Sequence, residues 1–276
     1  MSGPRIPGRG TRVADLSVSS HAVAYRVPAV SDSVRAGIAE QILPLTILQQ
    51  DLERGWELSI DAERARQRIG AGLVGYDAMD VIASAGSLLV AFVRATAAVQ
   101  QAGLSTEEEA VQARERRFQI QSLMSAWWGA EPLPSDRVKM AARRSAAVVG
   151  NSILRCATAA VRDGATFDGW AQAHCPCCGG SPEFASRDDA GQTLLCARCD
   201  CSWRRVGSGC LGCGETEAPM MGRIATPMLG FQLAICHPCG RYIKEPIAAG
   251  TLVDPLIDRV LTAQLDAAAE TRGLRL

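Results

Sequence analysis

The sequence predicts an α+β protein: an all-α helical bundle over residues 33–170, two tandem four-cysteine modules over 174–208 and 209–250, and a C-terminal helix over 251–276. Three observations support that fold class. Apolar residues recur every three or four positions from about Ser33 to Trp170, the spacing of a helix with one buried face. At His174 the pattern gives way to Cys, Gly and short polar stretches until about Pro246. Helical spacing then returns through Leu252, Leu256, Val260, Leu261 and Leu265, with Gly273 placed as a stop.

With 276 residues the chain is well above the size at which a core is hard to build. Hydrophobic residues make up 47% and charged residues 21%, and 29 Lys+Arg balance 29 Asp+Glu. That composition describes a globular protein and excludes a basic coat for nucleic acid or anionic lipid.

Residues 1–32 lack periodicity and are expected to form a flexible tail, since nothing in them offsets the entropy of ordering. They hold no apolar run fit for a signal peptide, so export is not expected and a cytoplasmic location is. The most hydrophobic window, Val81 to Val93, is thirteen residues long, short of the roughly 20 that span a bilayer, and reads as a buried helix without membrane insertion.

Within the bundle, Val34, Ile38, Ile42, Leu45 and Leu48 mark the first helix, with Pro44 placed to kink it. Further helices are expected over Tyr76–Gln101 and Glu107–Trp128, the second preceded by Ser105-Thr106-Glu107-Glu108, which has capping-box spacing. A loop through Glu131-Pro132-Leu133-Pro134-Ser135-Asp136 leads to a last helix over Val138–Arg162. The Trp127-Trp128 pair and Cys156 read as packing, and the groups Arg114-Arg116-Arg117 and Arg143-Arg144 as solvated faces.

Ten of the eleven cysteines lie between Cys175 and Cys239. In a reducing compartment such a cluster favours thiolate ligands over disulfides. Eight form four CxxC pairs: Cys175/Cys178, Cys196/Cys199, Cys210/Cys213 and Cys236/Cys239. Seventeen residues separate the first two pairs, twenty-two the last two and ten the middle two, so chain order gives two rubredoxin-like or zinc-ribbon modules with four thiolates each. Two intervening residues let a tight turn aim both sulfurs at one point. Gly179, Gly214 and Gly240 follow the second cysteine, where left-handed backbone closes the turn, and Asp200 takes the fourth such place.

Two metal ions, zinc or iron, are therefore expected, since four thiolates suit either. Zinc makes the sites structural; iron permits one-electron chemistry. Cys177 inside the first turn and Cys201 just after the second are candidate substitute ligands, redox thiols or outer-sphere groups, while His174 and His237 flank ligands whose tetrahedra are already full. No nucleophile triad or phosphate-cradling glycine loop is present, so turnover catalysis is not expected. From His174 onward 10 Lys+Arg face 11 Asp+Glu, and two four-thiolate divalent sites bring this half to roughly −5. A zinc-ribbon transcription regulator is thereby disfavoured, and no nucleic-acid partner is expected.

From Cys175 the order Cys-Pro-x-Cys-Gly, Pro182, Leu195-Cys196-x2-Cys199-x3-Trp203, Cys210-x2-Cys213-Gly214 and Cys236-x2-Cys239-Gly240-x-Tyr242-x-Lys244 resembles the formate dehydrogenase accessory protein FdhE family. Leu265-Asp266-Ala267 with Gly273 resembles that family's C-terminal helix. The resemblance spans about residues 174–274 and implies a cytoplasmic accessory factor for maturation or activity of a formate dehydrogenase. It implies contact with that enzyme's catalytic subunit and the eight paired cysteines as metal ligands. Trp203, Tyr242 and Lys244 are its fixed-offset residues: the aromatics are expected to shield a metal and Lys244 to offset thiolate charge. A redox-active iron or thiol protein acting on the client is the alternative.

Overall fold

The computed structural model describes residues 31–129, 131, 134–162, 167, 169–188, 191–205, 207, 209–217, 220–226, 229–247 and 254–276. The expected tail lies almost wholly outside these residues, as do parts of the 131–136 loop and the start of the C-terminal helix expected over 251–276.

Helix α1 (Asp32–Gly55) is capped by Ser31 and runs on through Pro44, burying Ile42, Leu45, Leu48 and Leu52 on one stripe. Helix α2 (Ala62–Gly70) is capped by Asp61, whose Oδ1 accepts from the Arg64 N–H at 2.9 Å. The periodicity of the sequence does not announce it, because Ala65 is its only fully buried side chain.

The stretch expected as one helix over Tyr76–Gln101 is two: α3 (Ala78–Ser84) and α4 (Leu88–Gln101), bent by 99°. The chain turns at Ala85-Gly86-Ser87, where Ser87 adopts φ 60°. Right-handed helix cannot continue through such a residue. Both arms remain in the core through Val81, Ile82, Phe92 and Val99. Among the described residues no single helix is long and apolar enough to cross a membrane.

The segment expected as one helix over Glu107–Trp128 is likewise divided into α5 (Glu107–Glu115), a 3-10 turn (Arg116–Gln119) and α6 (Ile120–Trp128). Its capping box is formed one residue later than the Ser105 spacing suggests: Thr106 Oγ1 accepts from the Glu109 N–H while Glu109 accepts from the Thr106 N–H. Helix α7 (Arg137–Arg162) is the axis of the bundle, packing against all six preceding helices. Its Arg143 is not on a solvated face: the residue is buried, and its guanidinium donates to the carbonyls of Leu123, Ala126 and Glu131. Two of these carbonyls lie on α6 and the third just beyond its end.

Strands β1 (Pro182–Asp188), β2 (Gly191–Cys196) and β3 (Ser202–Arg205) form an antiparallel meander, as do β4 (Met221–Thr226), β5 (Phe231–Cys236) and β6 (Tyr242–Pro246). The meanders join through a parallel contact of Phe184 on β1 with Lys244 on β6, giving one six-stranded sheet ordered β3-β2-β1-β6-β5-β4.

Helix α8 (Pro255–Thr271), capped by Asp254, lays Leu261, Leu265 and Ala269 against Phe184, Phe231, Leu233, Ile235 and Tyr242 of the sheet. It is pinned to α1 by Arg35 Nη2 and Asp258 Oδ1, 2.8 Å apart. Gly273 at φ 73° ends it, with the Leu274 N–H on the Ala269 carbonyl. The larger core runs from Ile42 and Phe92 through α7 to Cys175, Cys199 and Trp203 without interruption.

Candidate metal centres

The first cysteine set stands on two turns. In one, the Cys175 N–H bonds the Gly180 carbonyl at 2.8 Å and the Gly179 N–H bonds the Cys175 carbonyl at 3.0 Å; in the other, the Cys196 N–H bonds the Cys201 carbonyl at 2.9 Å. Main-chain N–H groups of Gly180 and Arg198 point at the sulfurs of Cys178 and Cys196, each at 3.4 Å. Cys175 Sγ lies 3.5 Å from Cys199 Sγ, and Cys178 Sγ 3.6 Å from Cys196 Sγ. All four sulfurs fall within 4.8 Å of one another and all four residues are buried.

The second set repeats the plan. Gly214 N–H bonds the Cys210 carbonyl at 3.1 Å and Gly240 N–H the Cys236 carbonyl at 2.8 Å. Cys210 and Cys239 sulfurs are 3.5 Å apart, as are those of Cys213 and Cys236. Here Cys213 is exposed and Cys239 half-buried. Every cysteine among the described residues is free of disulfide bonding.

Gly179, Gly214 and Gly240 have φ 75°, 77° and 68°, and Asp200 has φ 54°. The four turns thus share one left-handed closing position. A tetrahedral ion with metal–sulfur bonds of about 2.3 Å sets its sulfurs about 3.8 Å apart, close to the spacings in both sets. A donor shell of sulfur alone suits zinc or iron and excludes the oxygen-seeking magnesium and calcium.

The thiols do not ionise alike. Burial pushes against ionisation of Cys199, but thiol hydrogen bonds from Cys175 and Cys178 outweigh it and draw Cys199 down to about 6. Burial likewise opposes ionisation at Cys210, and main-chain N–H groups of Cys213 and Gly212 bring it down to about 7. Burial pushes Cys236 up to about 12. A cation is what allows all four sulfurs of a set to carry charge together.

The first set is built onto the helices. Gly75 and Tyr76 donate their N–H groups to the carbonyls of Pro176 and Cys177 at 2.9 and 3.1 Å. Tyr76 Oη meets Thr158 Oγ1 at 2.7 Å and the Leu154 carbonyl at 3.1 Å on α7. Arg198 lies over the Trp127 ring at 4.6 Å and donates to the Trp127 carbonyl at 2.7 Å.

Asp200 extends this anchorage through charge. Its Oδ2 lies 2.7 Å from Arg155 Nη1 on α7 and its Oδ1 2.6 Å from Arg259 Nη2 on α8. Arg155 also pairs with Glu53 of α1 at 2.8 Å, and Arg259 with Glu183 of β1 at 2.7 Å. Lys244, fully buried, bonds Glu183 and Asp266 at 2.8 Å each, and Tyr242 Oη donates to Asp266 at 2.8 Å. Lys244 Nζ also sits 4.6 Å over the Phe184 ring. Its charge is therefore met by carboxylates.

Sequence reasoning did not anticipate Glu53, Arg155, Glu183, Arg259 or Asp266 in this network. The available signal was an aspartate where the other turns carry glycine.

Cys177 and Cys201 are buried, their sulfurs 3.6 Å apart. Trp203, 2% exposed, stands opposite Leu194 within the larger core, and its indole N–H has no hydrogen-bond partner among the described residues. His174 packs edge-on to Trp170 at 5.6 Å, and His237 lies over Gly222, where a Cβ would meet the ring at 2.6 Å. Neither histidine belongs to a four-sulfur group.

Beside the first set a groove of about 550 Å³ runs between the helices and the Cys175–Cys178 turn. Trp127, Trp128, Arg143, Arg144, Asn151 and Arg198 line it, with the main chain of Gly179 to Pro182 at its edge.

No protein-family model matches this chain, and no curated protein does. Among solved structures, the crystal structure of the FdhE protein from Pseudomonas aeruginosa superposes with a TM-score of 0.62, covering 88% of this chain and 90% of that one at 19% sequence identity. The two share a fold: a helical region, a sheet carrying two four-cysteine clusters in this chain, and a final helix.

Proposed function

We propose that the chain is an accessory protein of the FdhE type, acting in the cytoplasm on the catalytic subunit of a formate dehydrogenase to bring that enzyme to its active form. The observation that carries this reading is the FdhE-like fold across nearly nine-tenths of both chains, combined with two convergent four-sulfur groups. Cys175, Cys178, Cys196 and Cys199 hold one metal ion, and Cys210, Cys213, Cys236 and Cys239 the other. Bound metal fixes the turns, and with them the sheet and its contacts to α7 and α8.

The groove beside the first site receives the client. Trp128 offers it apolar aromatic surface, while Arg144 and Arg198 place cationic groups along its walls. The protein's own contribution is binding and positioning, without turnover.

The test is expression of the chain in a host that lacks its own factor, together with a tagged catalytic subunit. The parent chain is expected to co-purify with the subunit and to restore formate oxidation. Trp128→Ala should weaken capture while leaving metal content unchanged. Absence of co-purification, with formate oxidation the same whether or not the chain is present, overturns the proposal. The absorption spectrum of protein purified without air assigns the ion, since iron thiolates colour the protein and zinc does not.

A further inference from the structure

The first module carries two more sulfurs than one tetrahedral ion uses. Cys177 Sγ and Cys201 Sγ lie 3.6 Å apart, and both residues have no exposed surface. With Cys175 Sγ they form a third group whose sulfurs all lie within 4.8 Å of one another. Cys175 thus belongs to two groups at once: the four-sulfur set and this trio.

We propose that Cys175, Cys177 and Cys201 form a third ion site, in which the Cys175 thiolate bridges two closely spaced soft divalent cations. This rests on the reading of Cys175 as a ligand of the first four-thiolate site.

Charge favours this arrangement. One divalent ion with four thiolates carries about −2. A second divalent ion arriving with two further thiolates adds about zero, so six sulfurs and two ions bury no more net charge than four sulfurs and one. The separation of Cys177 and Cys201 matches the edge of about 3.8 Å expected for a tetrahedral thiolate site. Both side chains come from turns whose main chain is already fixed, Cys177 by Tyr76 N–H on its carbonyl and Cys201 by Cys196 N–H on its own. The ligands therefore lose little freedom when the ion binds. The competing state is a pair of neutral thiols acting as small core side chains.

The two states differ in the number of ions per chain. Full-length protein, expressed with zinc and purified without air, is expected to show three zinc ions by native mass spectrometry. Cys177→Ser and Cys201→Ser should each show two, and Cys156→Ser three. If the serine variants fail to fold, Cys177→Val and Cys201→Val provide apolar replacements with the same expectation. Exchange of the parent chain into cadmium-113 gives a readout that needs no variant: three resonances, two of them coupled through the shared sulfur. Two ions and two uncoupled resonances in the parent overturn the third site while leaving the four-thiolate sites standing. One ion or none overturns both.

Discussion

Asp200 Oδ1 lies 2.6 Å from Arg259 Nη2, tying the turn that carries Cys196 and Cys199 to the final helix. The same carboxylate reaches Arg155 of the central helix through its other oxygen, at 2.7 Å. One side chain in a left-handed turn position therefore connects a metal-binding turn to helices remote in sequence. Glycine would fit that position with less strain. Aspartate tolerates it and adds two charge-assisted hydrogen bonds.

Replacement of Asp200 separates these contributions. Asp200→Asn keeps a residue that tolerates the turn but removes the charge, leaving Arg155 and Arg259 each short of a partner. Breaking a buried pair from one side costs about 3–5 kcal/mol, and urea unfolding at fixed zinc should show a loss of that order. Asp200→Gly should lose slightly less, because it relieves the backbone. A double-mutant cycle with Arg259→Met is expected to show strong coupling; additive losses would mean that the pair contributes little.

The acid limb of the stability curve reports on Glu183. Burial pushes its pKa up, but Lys244 and Arg259 outweigh burial and hold it below its ordinary 4.5. A carboxylate lowered in the folded state stabilises fully above its unfolded value, and that stability is lost as pH falls through the folded value. Asp266 and Asp258 have the opposite sign: burial dominates and raises both, despite Lys244 and Arg35 beside them. Their terms favour the folded state as pH falls. The stability difference between parent and Glu183→Gln isolates the first term. It should be constant near neutrality and shrink below about pH 4.5; a difference that grows on acidification would contradict the assigned sign.

Lys244 and Tyr242 meet at Asp266 but are not equivalent. Lys244→Met leaves Glu183 and Asp266 facing each other without their shared cation, for a loss of about 3–5 kcal/mol. Tyr242→Phe removes one hydrogen bond to a carboxylate and should cost about 1.5–3 kcal/mol. Thermal unfolding of the two variants should rank them in that order, with metal content the same as in the parent.

What the sequence disclosed and what it hid follow from the range of the interactions. The cysteine turns are local: two residues between sulfurs and a left-handed closing position are written within five residues, and the structure brings the pairs together as the spacing implies. The bundle was legible because α1 and α7 bury regular apolar stripes. The bend at Ala85-Gly86-Ser87 was not, since it interrupts an apolar run without proline. Helix α2, rich in arginine and burying chiefly Ala65, lacks the stripe that marks a helix. The parallel contact of β1 with β6, and the partners of Asp200 from α7 and α8, depend on residues far apart in the chain. No local pattern encodes such pairings.

Packing between α6 and α7 has a defined tolerance at Gly150. A Cβ there would lie 2.4–2.9 Å from three atoms of the Trp127 ring. Gly150→Ala must therefore displace the indole, and overpacking of this kind costs about 1–3 kcal/mol. Trp127 also carries Arg198 at the edge of the groove, so tryptophan fluorescence should change along with stability. A second substitution, Trp127→Phe, is expected to restore part of the loss; no recovery would show that the strain lies elsewhere.

The two cysteine sets should differ in how readily their ions leave. All four cysteines of the first set are buried beneath helices and sheet, whereas Cys213 of the second is exposed and Cys239 half-buried. A chelator can reach the second ion from the folded state, but the first requires opening of a core that the Asp200 and Tyr76 contacts hold closed. Release of zinc to a chromogenic chelator should therefore proceed in two phases, the fast one from Cys210, Cys213, Cys236 and Cys239. Cys213→Ser should accelerate or abolish the fast phase alone. Asp200→Asn should accelerate the slow phase alone, because it loosens the first set without touching the second. Equal release from both sets, or an effect of Asp200→Asn on the fast phase, would show that burial does not govern access.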